Sequence, residues 1–271
     1  MNSSKIGIIG FGRAGRLLFQ IFKKTPICFD VKREQVPDEH YSDFRSLISD
    51  SSVIFIAVPD DKISVISREI AESGIGLEKK IFIHLSGANP SAILSSIKDK
   101  RGGILALHPA LSIVDIDWII KNLKKFIWTV EGTKSEKEKI RNLFRKYSVK
   151  VFPISGKDKG VYHLGCVFLS NIPVFNPVFG SKLLRETGLA ENVVCKLGRG
   201  LILSVEHNLR KFPHKNIITG PLIREDVNTL KKHFEILKNK EEMMAWYIIK
   251  CKTIAEKYNL KKVMYFLKEY S

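Results

Sequence analysis

The chain has only four cysteines, Cys28, Cys166, Cys195 and Cys251, and no two stand close together. That scatter excludes a C-x-x-C redox pair and a metal knuckle, and it suits small core residues in a reducing compartment. Long apolar runs are missing too. None approaches the roughly 18 residues of a membrane span, and the N-terminus enters a strand with no charged leader, apolar h-region or cleavage site. The expectation is a cytoplasmic protein without a membrane partner. G-x-S-x-G elbows, H-E-x-x-H pairs, Walker lysine motifs and Cys/His clusters are also absent, so hydrolase, metalloenzyme, P-loop and iron–sulfur chemistries have no residues to stand on. Acidic residues are few beside basic ones, 28 against 45, for a net charge of +17. Such a balance suits nucleic acid, an anionic surface or acidic small molecules. The lysines come as spaced pairs, Lys23-Lys24, Lys79-Lys80 and Lys231-Lys232 among them, and form no stripe interleaved with aromatics. This argues against nucleic acid and for a solvated basic surface whose field also favours phosphorylated cofactors.

What is present begins at once. The apolar run Ile6 to Ile9 leads into Gly10-Phe11-Gly12-Arg13-Ala14-Gly15, and apolar residues then repeat at helical spacing through Phe22. Strand, tight turn and helix around G-x-G-x-x-G form the dinucleotide-binding fingerprint: Gly10 for the turn, Gly12 for close approach of a pyrophosphate, Gly15 for helix–strand packing. The helix N-terminus supplies amides and a dipole to the anion. Gly10, Phe11, Gly12, Arg13, Ala14 and Gly15 are therefore candidate cofactor residues; the alternative is a plain structural turn.

A second strand, 26–31, carries Asp30, 20 residues after Gly10, where an acid would take the ribose hydroxyls of NAD. Lys32 and Arg33 stand where cations would take the 2′-phosphate of NADP. A carboxylate aimed at a phosphate repels it, so NADP requires Asp30 to turn away. The two adjacent cations favour NADP over NAD, their alternative being simple surface charge. Further strands are expected at 52–58, 80–85, 103–107, 126–130 and 150–154, with helices near 43–48, 61–71 and 135–147 and one started by Asn89-Pro90 as N-cap and first turn. Val58 and Pro59 fall at the carboxyl edge of the sheet, where ligands of such folds bind. From Lys159 onward only helical periods occur, at 159–172, 177–187, 190–210, 226–238, 241–258 and 260–269, punctuated by Pro173, Pro177, Pro213 and Pro221. The fold class is α/β: a doubly wound Rossmann domain over 1–155 and an all-helical domain over 156–271.

The motifs His84-Leu85-Ser86-Gly87-Ala88, His108-Pro109, Tyr162-His163 with Ser170-Asn171, and Thr219-Gly220-Pro221-Leu222-Ile223-Arg224 with Asp226 and His233 fall in one order. In that order they resemble the Rossmann-like family filed as domain of unknown function 2520. It is similar to the NADP-dependent oxidoreductases around pyrroline-5-carboxylate reductase, deazaflavin-dependent NADP reductase and prephenate dehydrogenase. The resemblance covers nearly the whole chain. It implies a helical domain of the 6-phosphogluconate-dehydrogenase C-terminal type that often dimerises, and an active site in the cleft between the domains. Two places depart from the family pattern. Arg224-Glu225-Asp226 replaces Arg-Gly-Asp, adding bulk and negative charge at a turn. Ala110-Leu111-Ser112-Ile113 follows His108-Pro109 where polar and aromatic residues are usual. Both put a shared substrate in doubt.

A nicotinamide reductase needs a donor that polarises a C=O or C=N group and cations for a substrate carboxylate. His108 at a strand end and His163 on a helix can each donate a proton near neutral pH. On a continuous helix His163 and Asn171 share a face, and the three form the catalytic candidates. Ser86, Arg224 and Asp226 are the substrate-binding candidates, Arg224 as a bidentate carboxylate clamp. Each has a bland alternative: His108 bonding backbone, Asn171 turning the chain before Pro173, Arg224 pairing with its acidic neighbours. His84, His207, His214 and His233 read as structural, and no metal site is expected. The leading reading is an NADP-dependent oxidoreductase acting on a small, anionic carbonyl or imine compound. The alternative is a catalytically silent NADP-binding sensor or scaffold.

Overall fold

The computed structural model describes residues 5–212 and 217–270; Pro213 and His214 lie outside them. In the first part of the chain, β1 (Ile6–Ile9), α1 (Arg13–Ile21), β2 (Ile27–Phe29), α2 (Phe44–Asp50), β3 (Val53–Ile56), α3 (Asp60–Glu72) and β4 (Ile81–His84) alternate. They continue as α4 (Ser95–Asp99), β5 (Gly103–Pro109), α5 (Ile116–Lys121), β6 (Ile127–Gly132), α6 (Lys134–Arg145) and β7 (Lys150–Pro153). The seven strands form one sheet in the order β2-β1-β3-β4-β5-β6-β7. All neighbours run parallel except β5 and β6.

The centre of the sheet is covered on both faces because strands such as β1 and β3 are apolar and buried at every position, not at alternate ones. Along β3, Val53 and Phe55 enter one core layer with Phe22, Trp128 and Phe144, while Ile54 and Ile56 enter the other with Leu47, Ile63 and Ile97. Phe22, Phe55, Trp128 and Phe144 are fully buried; at about 2–3 kcal/mol each they fix α1 and α6 on one face. Local chemistry sets the helix starts. The Asp43 carboxylate accepts from the amides of Arg45 and Ser46 at 3.1 and 3.0 Å, and Thr133 with Glu136 closes a capping box on α6.

One expected cap is not built. Asn89 faces away from the following turn, a 3-10 segment over Ser91–Leu94 that has no side-chain cap. Its side chain instead donates to Asp60 and Ser86 at 3.2 and 3.1 Å, two charged or hydroxyl acceptors that compete with backbone amides.

After β7 comes α7 (Lys159–Leu169), and the contacts divide the chain into two compact units at Pro173/Val174, later than the boundary at 155 drawn from the sequence. The physical reason is that α7 turns Lys159 and Tyr162 onto the sheet: Lys159 bonds the Ser86 carbonyl and Tyr162 bonds His108.

The second unit is helical: α8 (Phe175–Glu186), α9 (Glu191–Lys211), α10 (Val227–Leu237), α11 (Glu241–Lys257) and α12 (Lys261–Leu267). Leu222, Leu230, Phe234, Ala255, Val263 and Phe266 are among its core residues. The 21-residue α9 buries only Val194. No helix among the described residues is long and apolar enough to cross a membrane.

Candidate functional site

The turn after β1 uses its three glycines differently. Gly10 has φ +95°, and a Cβ there would lie 2.5 Å from the Ala57 carbonyl oxygen, a backbone atom that cannot give way. A Cβ on Gly15 would meet the Gly10 carbonyl oxygen. Both positions are glycine for the protein's own packing. Gly12 is not: nothing lies within 4 Å of where its Cβ would be. The missing side chain leaves open space over the first turn of α1, which has neither a side-chain cap nor an acidic residue. Unsatisfied amides, a helix dipole and room beside a glycine suit the pyrophosphate of a dinucleotide.

Beside this turn runs a cleft of about 700 Å³, lined by Gly10 and Gly12, by Asp30, Val31 and Lys32 after β2, by Val58 and Pro59 after β3, and by Lys62, Val65 and Ile66 of α3. β1 lies between β2 and β3, so the chain reverses direction across the sheet here, at the switch point where ligands of these folds bind. Of the expected residues, Gly10, Gly12, Lys32, Val58 and Pro59 line the cleft. Phe11 and Gly15 are buried beneath it, and Arg13 and Ala14 stand in the first turn of α1. Arg33 is not on the lining. Its guanidinium pairs with Asp38 at 2.5 Å and stacks over Tyr41 at 3.9 Å, because an acid and an aromatic ring lie within its own loop. Asp30 is turned back on the chain, accepting from the amides of Phe11 at 2.6 Å and Lys32 at 2.8 Å.

A second cluster abuts the cleft. Pro59 lines the cleft, and the next residue, Asp60, accepts from the Ser86 hydroxyl at 2.7 Å. Here the ends of β4 and β5 meet α7, whose Lys159, Tyr162 and His163 share one face at spacings of three and four. His108 Nδ1 lies 2.8 Å from the Tyr162 hydroxyl, and the rings of His108 and His163 sit edge to face at 5.7 Å. Gly87 lies against both: a Cβ there would be 2.9 Å from His108 Nε2 and would also meet the His163 ring.

Charge in this cluster is set by burial. Burial, then the charge of Lys159, then His163 push the His108 imidazole down to about 4. Burial pushes the Tyr162 hydroxyl up to about 12. Tyr162 therefore keeps its proton at neutral pH; when it donates to Nδ1, a neutral His108 carries its own proton on Nε2. With its titration pushed down to about 4, His108 can donate as a neutral N–H at neutral pH, not as an imidazolium. Lys159 went unnoticed in the sequence. It is 1% exposed, its Nζ donates to the Ser86 carbonyl at 2.9 Å, and burial pushes it down to about 8 against the pull of Glu131 and Asp60. The signal available was the spacing Lys159-x-x-Tyr162-His163.

Other expected site residues are placed differently. Ser86 is engaged on all sides, by Asp60, by the amide and side chain of Asn89, by His84 and by Lys159, and so orders the turn instead of facing a substrate. α7 ends at Leu169, where the Ser170 hydroxyl bonds back to the Cys166 carbonyl at 2.7 Å, and Pro173 disfavours helix just before it. Asn171 therefore lies beyond the helix, with its Oδ1 accepting from Ser170, and the shared face with His163 is not built. In the second unit Asp226 caps α10 through Thr229, while Arg224 is exposed and makes no ion pair among the described residues. Glu225, in place of the expected glycine, has φ +51° and accepts from the Lys262 amide at 2.7 Å, so its charge caps α12. Leu111 and Ile113 pack on the sheet core. His84 bonds the Pro90 carbonyl and the Ser86 amide, each at 3.2 Å, and His233 bonds Tyr247. All four cysteines are free, Cys28 and Cys251 buried, and no group of three or more His, Cys, Asp or Glu among the described residues could hold a metal.

Residues 3–109 match the model of the Rossmann-like domain, and residues 126–254 match that of domain of unknown function 2520, DUF2520. The two models match successive segments of this chain. No curated protein matches it. Among solved structures, the "putative NADP oxidoreductase BF3122" from Bacteroides fragilis is 17% identical with TM-score 0.74, covering 94% of this chain and 98% of that one. Imine reductase from Myxococcus stipitatus in complex with NADP+ is 13% identical with TM-score 0.62, over 93% and 94%. Pyrroline-5-carboxylate reductase from Coxiella burnetii is 14% identical with TM-score 0.56, over 95% and 99%. At these identities the likeness of this chain to its neighbours is one of fold.

Proposed function

We propose that this protein is an NADP-dependent oxidoreductase of a small, carboxylated carbonyl or imine compound. The observation that carries the reading is the open space at Gly12 beside a cleft lined by Lys32, Val58 and Pro59. The neighbouring imine reductase was solved with NADP+, which supports the cofactor class. Bound in the cleft, a reduced nicotinamide supplies a hydride. Gly12 and the first-turn amides of α1 hold the pyrophosphate. Lys32 is the cation for a 2′-phosphate, and Asp30, tied to two backbone amides, is turned from it. His108 Nε2–H polarises the oxygen or nitrogen of the substrate, with Tyr162 fixing its tautomer and His163 as the second donor. Arg224 is the candidate carboxylate ligand.

Calorimetric titration with NADPH and separately with NADH tests this. NADPH is expected to bind at least tenfold tighter, about 1.4 kcal/mol. Preference for NADH would return Asp30 to the ribose, and no binding of either would remove the oxidoreductase reading. Binding without oxidation of NADPH by any keto acid or imine would leave the silent sensor or scaffold.

The same chain is a candidate homodimer through α9. Val193, Leu197, Leu201, Val205 and Leu209 form an exposed stripe that is symmetric about Leu201. Antiparallel pairing with a second copy sets Val193 level with Leu209 and Leu197 level with Val205. A two-fold axis at Leu201 makes this surface self-complementary. Sedimentation should show a dimer that Leu201→Lys converts to a monomer; a wild-type monomer at micromolar concentration would refute the pairing.

A further inference from the structure

We propose that Lys159 is a positioning residue: as a buried cation it holds His108 in its neutral, N–H-donating form and fixes the Ser86–Gly87 peptide beside it. The proposal rests on the reading of His108 as the donor to the substrate.

The geometry is asymmetric in a way that a merely structural lysine does not require. The groups coupled to the Lys159 charge come from four strands and helices: Asp60 of α3, Glu131 of β6, His84 of β4 and His108 of β5. The two carboxylates that favour its charge are occupied. Asp60 accepts from Ser86 and Asn89, and Glu131 accepts from the amide and hydroxyl of Ser91 at 2.5 and 3.0 Å. Neither is a partner of His108, whose hydrogen bond among the described residues goes to the neutral Tyr162. Near His108 there is thus a buried cation and no bonded anion, so nothing nearby rewards an imidazolium, and the Lys159 charge opposes one.

The second effect is on the backbone. The Ser86 carbonyl and the Gly87 N–H belong to one planar trans peptide and point in opposite directions. By gripping the carbonyl oxygen at 2.9 Å, Lys159 turns the Gly87 N–H away from itself. That N–H has no protein partner among the described residues, and Gly87 sits against His108 and His163. One buried ammonium therefore bears on two neighbouring residues, the His108 imidazole through its charge and the Gly87 peptide through the Ser86 carbonyl. A neutral imidazole so held polarises an oxygen without being drained of its proton by a neighbouring acid, and it keeps the same form from neutral pH down towards its own depressed titration.

The test is an NMR titration of His108 in the full chain carrying labelled histidine, in wild type, Lys159→Gln, Lys159→Met and Lys159→Arg. Glutamine keeps a donor for the Ser86 carbonyl and deletes the charge; methionine deletes both; arginine keeps the charge. The expected result is a midpoint raised by about one unit, a tenfold gain in proton affinity, in the glutamine and methionine variants, with the arginine variant close to wild type. Loss of packing alone would not produce that split. An unchanged midpoint in either neutral variant with a native amide spectrum would overturn the proposal. So would a wild-type His108 titrating near 6.5, which needs no variant. The titration requires neither cofactor nor substrate. Failure to bind NADPH would remove the proposed function and leave the titration readable, whereas an unmoved midpoint in a variant that still binds NADPH would remove the positioning role alone.

Discussion

Gly12→Ala separates a glycine kept for a ligand from one kept for the fold. Within the protein the substitution meets nothing, since no atom lies within 4 Å of the added carbon, and the backbone there, φ −70° and ψ −164°, is open to any residue. Two small terms act on stability. Restricting the unfolded chain stabilises by about 0.4–1 kcal/mol, and replacing glycine by alanine at a helix N-cap costs a similar amount. They oppose each other, so the net change should stay within about 1 kcal/mol, or roughly 2–4 °C in Tm for a unit of this size. Binding should respond differently. The added methyl occupies the space through which a pyrophosphate reaches the first-turn amides, and charge-assisted hydrogen bonds lost there are each worth about 1.5–3 kcal/mol. Losing one or two implies a fall in NADPH affinity of about tenfold or more. Gly10→Ala is the contrast, because its carbon would collide with the Ala57 backbone at positive φ; it should destabilise outright. Calorimetry with NADPH beside thermal melts of the same samples decides. An alanine at position 12 that leaves affinity unchanged, or that costs as much stability as the one at position 10, would refute the reasoning.

Acid should weaken the fold through two imidazoles. His84 and His108 each titrate at about 4 when folded against about 6.5 when unfolded, so their contribution is complete above pH 6.5 and is lost as pH falls towards 4, by up to about 3 kcal/mol for each. Urea melts at pH 7.5, 5.5 and 4.5 should show that decline, and a flat profile would exclude it. Lys159, lowered to about 8, acts in the same direction in a higher window, adding stability as pH rises from 8 towards 10.5. Glu225 combines a left-handed backbone with a cap on α12. Glu225→Ala should cost about 1 kcal/mol through the lost cap, and Glu225→Gly less, because glycine relieves about 1 kcal/mol of left-handed strain; equal melting temperatures for the two would show that no strain is stored there.

Much of the fold was legible because it rests on local regularity. Seven apolar runs became seven strands, and six helical periods after Lys159 became six helices, their ends set by residues such as Asp226 that cap through their own neighbours. The glycine turn was legible for the same reason: a strand, three glycines and a helix can meet in few ways. Reading failed where a side chain chose between partners far apart in sequence. Asn89 looked like a cap and instead bonds Asp60, 29 residues away. Arg33 looked free and is held by Asp38 and Tyr41. Asn171 was placed on a helix that ends before it.

The sequence by itself determined the order of strands and helices and the dinucleotide turn, since periodicity and glycine sterics act over a few residues. Only the tertiary structure decided that Lys159 is buried beneath Ser86, that α7 packs on the sheet, and that His108 is neutral. Those facts depend on desolvation and on charges brought together from β4, β5, β6, α3 and α7, a juxtaposition that no single stretch of sequence contains.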